Sequence, residues 1–165
     1  MQVKRFDDIG NGKEQFMMRA IELAIANIEN GGGPFGCVVV KNGEVVGEGV
    51  NRVTYNNDPT AHAEVMAIRD ACKNLNDFQL NGCEIYTSCE PCPMCFGAIY
   101  WARPAKLYYG ANKVDAAKAN FDDYFIYKEI DKQPGQRSIP MEQLLGDRAK
   151  EVFDMWLGID KKIQY

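Results

Sequence analysis

The chain has 165 residues, 46% hydrophobic and 25% charged, a mixture that suits a single folded domain of roughly 150 residues and excludes a disordered chain. Nineteen basic against 23 acidic residues leave a formal charge of −4, which argues against a broad nucleic-acid surface. No apolar run approaches the ~18–20 residues needed to cross a bilayer, and residues 1–8 lack the apolar stretch of a secretion signal; the expected location is the cytoplasm.

Residues 13–30 carry Met17, Ile21, Ala24 and Ile28 at helical spacing and stop at Gly31-Gly-Gly33, which predicts a helix. Residues 36–40 read as a buried strand, and Asn42-Gly43 turns it back into a second strand over 44–50. A further helix is expected from about Asp58, which would cap it, with Pro59 in its first turn, to about Asn74. Residues 84–88 read as a strand, 93–102 as a helix and 106–109 as another strand. Strand, helix, strand at this spacing predicts parallel pairing. Beyond 113 the pattern weakens: 121–127 fits loop or strand, 132–140 looks extended, and 141–157 looks helical through Leu144, Leu145, Val152, Phe153 and Trp156. The sum is an α/β domain with a mixed sheet and helices on both faces.

Cysteine and histidine usage carries the chemistry. Of six cysteines, Cys89, Cys92 and Cys95 fall within seven residues, and His62 is the single histidine. In a reducing compartment such crowding points to a metal or redox site rather than to disulfides. One imidazole and two thiolates, His62, Cys92 and Cys95, suit zinc and leave one tetrahedral position open for a water. The arrangement, H-x-E at 62–64 with P-C-x-x-C at 91–95, resembles the signature of zinc deaminases. Cys92 and Cys95 are three apart at a predicted helix start, where both face one way and the dipole favours the thiolate. His62 and Glu64 are two apart, so they reach one site only by flanking it from an irregular first turn. Glu64 would then serve as the proton shuttle beside a zinc-bound hydroxide.

Other readings compete. Cys89-x-x-Cys92-x-x-Cys95 resembles part of an iron–sulfur run, with Cys83 as a fourth thiolate. A closed structural zinc with Cys89 or Cys83 as fourth ligand would make the protein a binding module without turnover. Cys37 and Cys72 read as small buried hydrophobes, and Tyr108-Tyr109 as strand core. Phe35 fits the core better than a stacking role. Asn51 either reads a heterocycle edge or caps the following turn. Asp122 and Asp123 are most simply loop acids facing solvent.

Four segments resemble the cytidine-deaminase-like superfamily, and most closely its small bacterial guanine deaminases: Gly33-Pro-Phe-Gly36, residues 57–64, residues 86–104 and residues 121–130. The first half of that set is shared with relatives acting on cytosine or on tRNA adenosine; residues 121–130 and the terminal Tyr165 point to the guanine branch. The likeness runs from about Phe16 to Pro140 and reappears at the C-terminus, with no close match over 141–163. It implies a three-layer α/β/α domain with a sheet of about five strands, one Zn2+ per subunit, and hydrolysis of guanine to xanthine and ammonia. It also implies a homodimer in which a segment from about 128 to 165 swaps onto the neighbour. Asn51 would hydrogen-bond the purine, Phe35 would stack near it and Asp123 would contact the base edge. The backbone at Ser88 and Cys89 would line the pocket, and Tyr165 of the partner subunit would complete it. The runner-up activities are tRNA adenosine deamination, guanosine deamination and cytosine deamination.

Overall fold

A computed structural model describes residues 12–165, which divide into two compact units, one running to Asp123 and the other from Tyr124 to Tyr165. The first unit contains helix α1 (Lys13–Glu29), strands β1 (Gly36–Lys41) and β2 (Glu44–Val50), a single turn of helix α2 (Val53–Asn56), helix α3 (Ala63–Leu75), strand β3 (Cys83–Cys89), helix α4 (Pro93–Ala102), strand β4 (Lys106–Ala111) and helix α5 (Lys113–Lys118). The sheet order is β2-β1-β3-β4. Strand β1 pairs antiparallel with both neighbours, and β3 pairs parallel with β4. Among the described residues the sheet has four strands where about five were expected.

Strand β1 is buried from Gly36 to Val40, because its alternate side chains feed two cores. Val38 and Val40 meet Phe16 and Ala20 of α1 and Tyr86 of β3. Cys37 and Val39 join Ala63, Ala67 and Ala71 of α3, Ile85 of β3, and Ile99 and Ala102 of α4. Helix, sheet, helix is therefore the layering, as expected. Asn42 and Gly43 both adopt positive φ, 53° and 82°, the backbone that a two-residue hairpin requires.

One local expectation needs correction in this unit, and two short helices were not foreseen. Helix α3 starts at Ala63, not near Asp58. The Asp58 carboxylate accepts from the N–H and the hydroxyl of Thr60 at 2.8 and 2.7 Å. That side-chain turn competes with a helix cap, and Pro59 sits inside it. The short helices α2 and α5 had no apolar periodicity to announce them. Helix α5 is instead held by a capping box, in which the Asn112 side chain accepts from the N–H of Asp115 while Asp115 accepts from that of Asn112.

The second unit holds helix α6 (Tyr124–Ile130), a 3-10 turn (Pro134–Gln136) and helix α7 (Gly146–Leu157). Of residues 121–127, read as loop or strand, those from Tyr124 onward are helical, and the helix runs to Ile130. The helix expected from 141 begins five residues later, after Leu145 adopts a left-handed backbone at φ 52°. Glu129 organises the connection: its carboxylate accepts from Lys132 and from the Ser138 N–H, and its carbonyl accepts from Arg137. No residue of this unit is buried, and Phe153, Met155, Trp156 and Leu157 of α7 are all exposed.

Candidate metal centre and active site

Two helix starts build the site. His62 is the N-cap of α3, in an extended conformation. Cys92 is the N-cap of α4, with Pro93 in the first turn, where its missing N–H costs nothing. The extended backbone at His62 explains how residues 62 and 64 serve one site: His62 lies before the helix and Glu64 in its first turn, so helical spacing does not separate them. Cys95 follows one turn into α4 and is fully buried.

The ligand atoms of His62, Cys92 and Cys95 all lie within 4.8 Å of one another. His62 Nδ1 is 3.5 Å from each sulfur. Two bonds of roughly 2.3 and 2.05 Å at a tetrahedral angle place sulfur and nitrogen about 3.6 Å apart, so the donor set fits zinc in both chemistry and spacing. Cys89 does not join the group: its thiol is turned to the Asn112 carbonyl at 3.9 Å. Cys83 starts the strand that Cys89 ends, a separation of about 20 Å at the rise of a strand. Neither the iron–sulfur cluster nor the closed structural zinc finds its further thiolate. Among the described residues the group has three donors, the number that a catalytic zinc takes from its protein.

Electrostatics favours a charged sulfur here. The Cys92 thiol is drawn down to about 4, first by the hydrogen bond from Cys95 and then, against the effect of burial, by His62. The same contact pushes the Cys95 thiol up. His62 is raised chiefly by its hydrogen bond with Cys92. Glu64 is only 5% exposed, and burial raises its carboxyl above the usual range. Its Oε2 lies 3.3 Å from Cys95 Sγ, while its Oε1 accepts from the Thr87 hydroxyl at 3.2 Å. A buried carboxylate beside a metal cage and not within its ligand set has the placement of an acid–base group.

The remaining predicted residues are distributed around this centre. Phe35 packs against the core and meets Phe121 edge-on at 4.9 Å between ring centres. Asn51 Oδ1 accepts from the Val53 N–H at 3.3 Å, so its carbonyl end caps the turn. Ser88 Oγ accepts from the Gly36 N–H at 3.1 Å, tying the end of β3 to the start of β1. Burial, and then the charge of Glu64, raises the Cys89 thiol to about 11. Asp123 is half-buried, not a fully solvated loop acid; burial and then the Cys92 thiolate raise its carboxyl. Tyr165 is 71% exposed at the end of the second unit.

Sequence reasoning missed two buried polar residues. Thr87 touches Glu64, and Asn27 donates its side-chain amide to the carbonyl oxygens of Gly33 and Asn51 at 2.8 and 2.9 Å. Each left a signal: Asn27 shares the buried face of α1 with Phe16, Ala20 and Ala24, and Thr87 interrupts the inward apolar positions of β3. A polar residue on an apolar face requires a partner.

The chain is similar to known proteins. A guanine deaminase from Bacillus subtilis is 54% identical over 153 residues, covering 92% of this chain and 98% of that protein. Its crystal structure superposes with a TM-score of 0.91, covering 93% of this chain and 99% of that one. That coverage carries the likeness into 141–163, where the sequence alone displayed none. A tRNA-specific adenosine deaminase from Aquifex aeolicus is 43% identical over 100 residues, covering 61% of this chain and 66% of that protein. Among the described residues no helix is long and apolar enough to cross a membrane. The family model for the cytidine and deoxycytidylate deaminase zinc-binding region matches residues 11–111, the span that contains all three candidate ligands and Glu64. The chain belongs to this family of zinc-binding deaminases.

Proposed function

We propose that the chain hydrolyses guanine to xanthine and ammonia. The observation that carries this reading is the three-donor group of His62, Cys92 and Cys95 with the buried Glu64 carboxyl 3.3 Å from one of its sulfurs. Identity of 54% to a guanine deaminase along 92% of the chain supports the substrate. Zinc held by His62, Cys92 and Cys95 would activate a water as a nucleophile near neutral pH. Glu64 accepts the proton of the attacking water and passes protons to a ring nitrogen beside C2 and to the departing amine. The water oxygen bonds to C2, the exocyclic C–N bond breaks, and ammonia leaves. Burial strengthens the carboxyl's hold on a proton, which suits a group that must accept one and then return it.

Around that chemistry, Asn51 hydrogen-bonds the purine, Phe35 stacks near it, Asp123 meets the base edge, and the backbone at Ser88 and Cys89 lines the pocket. The active form is a cytoplasmic homodimer whose exchanged C-terminal segment, from about 128 to 165, brings Tyr165 of the partner subunit to the site. The lack of any buried residue in the second unit, with Phe153, Met155, Trp156 and Leu157 exposed, supports a segment that packs on a second copy. A tail over the site excludes a ribose and favours the free base. The net charge of −4 disfavours an RNA substrate.

Ammonia release from guanine, guanosine, adenine, cytosine and a tRNA anticodon stem-loop, with and without chelator, tests the activity. Guanine is the expected substrate, with loss of turnover on chelation. Glu64→Gln is expected to keep its zinc and lose at least about 100-fold in rate. Turnover of the RNA alone overturns the substrate, and unimpaired Glu64→Gln overturns the mechanism. Light scattering reads the dimer, and deletion of Tyr165 with no change in KM or kcat removes its role.

A further inference from the structure

Burial and strand preference ask for valine at position 87. Thr87 lies in the middle of β3, pairs with Cys37 on one side and Tyr109 on the other, and is 1% exposed. Its neighbours at the inward positions of the strand, Cys83 and Ile85, belong to the apolar core shared with α3 and α4. Valine has the same shape and an equal preference for strands. It would also spare the cost of desolvating a hydroxyl. The hydroxyl is nevertheless present, and its hydrogen-bond partner is the buried carboxyl of Glu64, at 3.2 Å from Oε1.

That contact divides the two oxygens of Glu64 between two surroundings. Oε1 is held on the sheet side by Thr87, while Oε2 is turned towards the sulfur of Cys95 at 3.3 Å. An ionised carboxylate can only accept, so the Thr87 hydroxyl must donate. Without that donor the carboxylate is free to rotate about its last torsion, which is broad and roughly two-fold. We propose that Thr87 is a positioning residue: it pins Oε1 so that Oε2 is the oxygen that carries the proton. This rests on the deaminase reading above and adds to it the origin of the carboxyl's orientation.

The test compares Thr87→Val and Thr87→Ser with the parent in the zinc-loaded protein, using guanine. Thr87→Val is expected to lower kcat by about 10- to 100-fold with KM within about twofold, because orientation and not binding is lost. Thr87→Ser restores the donor and is expected to stay within about threefold of the parent. Zinc content stays at the parental level in both, and a crystal structure of Thr87→Val shows the Glu64 carboxyl rotated from its parental position. Should Thr87→Val not fold, Thr87→Ala is read in the same two ways. A valine or alanine variant with parental kcat, an unmoved carboxyl, or a serine variant as slow as the valine one overturns the proposal. A parent that releases no ammonia from guanine overturns the deaminase reading instead, and the position of Glu64 in the variant crystal still decides the role of Thr87.

Discussion

A methyl group placed on Gly49 would lie 2.2 Å from the carbonyl oxygen of Ala63. Strand β2 thus touches the first turn of α3 at the residue between His62 and Glu64. Backbone cannot yield there as a flexible side chain would. Gly49→Ala is expected to destabilise the fold by at least about 1–3 kcal/mol. It is also expected to weaken zinc binding by shifting His62. Urea unfolding of the zinc-free protein and a zinc titration measure the two effects separately; parental values in both would show that β2 and α3 are free to part.

Asn27 holds two carbonyls with one amide nitrogen. Asn27→Ala leaves both acceptors without that donor and is expected to cost about 1–3 kcal/mol of stability. Because one acceptor is the backbone of Asn51, KM for guanine is expected to rise more than kcat falls. A stable Asn27→Ala protein with parental KM would separate the clamp from substrate recognition.

Metal links folding to occupancy. A ligand that binds only the folded chain stabilises it by about 2.7 kcal/mol at 100 times its dissociation constant. Added zinc is therefore expected to raise the thermal midpoint of the parent and to leave Cys92→Ala unmoved. Midpoints of the parent that ignore both zinc and chelator would disprove the assignment of the three ligands.

Tyr86 contributes to the alkaline limb of stability. Burial, and then its hydrogen bond to Glu84 at 2.7 Å, hold its phenol well above the ordinary value of 10.0. The native state therefore keeps this proton after the unfolded chain has released it. The stabilisation is complete below pH 10.0 and is lost as pH rises from there towards the native value. Urea midpoints measured from pH 9 to about 12 are expected to fall less steeply in Tyr86→Phe than in the parent. Equal slopes would mean that Tyr86 titrates normally.

The central layers and the metal ligands were legible because their signals are local and periodic. Asn42-Gly43 announced the hairpin, the apolar run over 36–40 announced β1, and Cys92-Pro93 announced the start of α4. The start of α3 was not, because Asp58 and Pro59 suit a helix cap and a side-chain turn equally, and only the extended run through His62 decides between them. Helix α6 was missed since Phe121–Tyr127 is aromatic without a clean helical period. Thr87 and Asn27 were invisible as site residues for a different reason. Each works through another residue, at 23 and 24 positions' separation from Glu64 and Asn51, and nothing in a linear sequence records that pairing.

The absence of any interior in residues 124–165 has a consequence for handling the enzyme. A segment with so little core of its own gains stability from any surface it packs on. With a second copy as that surface, dilution strips the tail before it disturbs the layered unit. On the proposed exchange, specific activity per chain would fall on dilution while the layered unit stays folded.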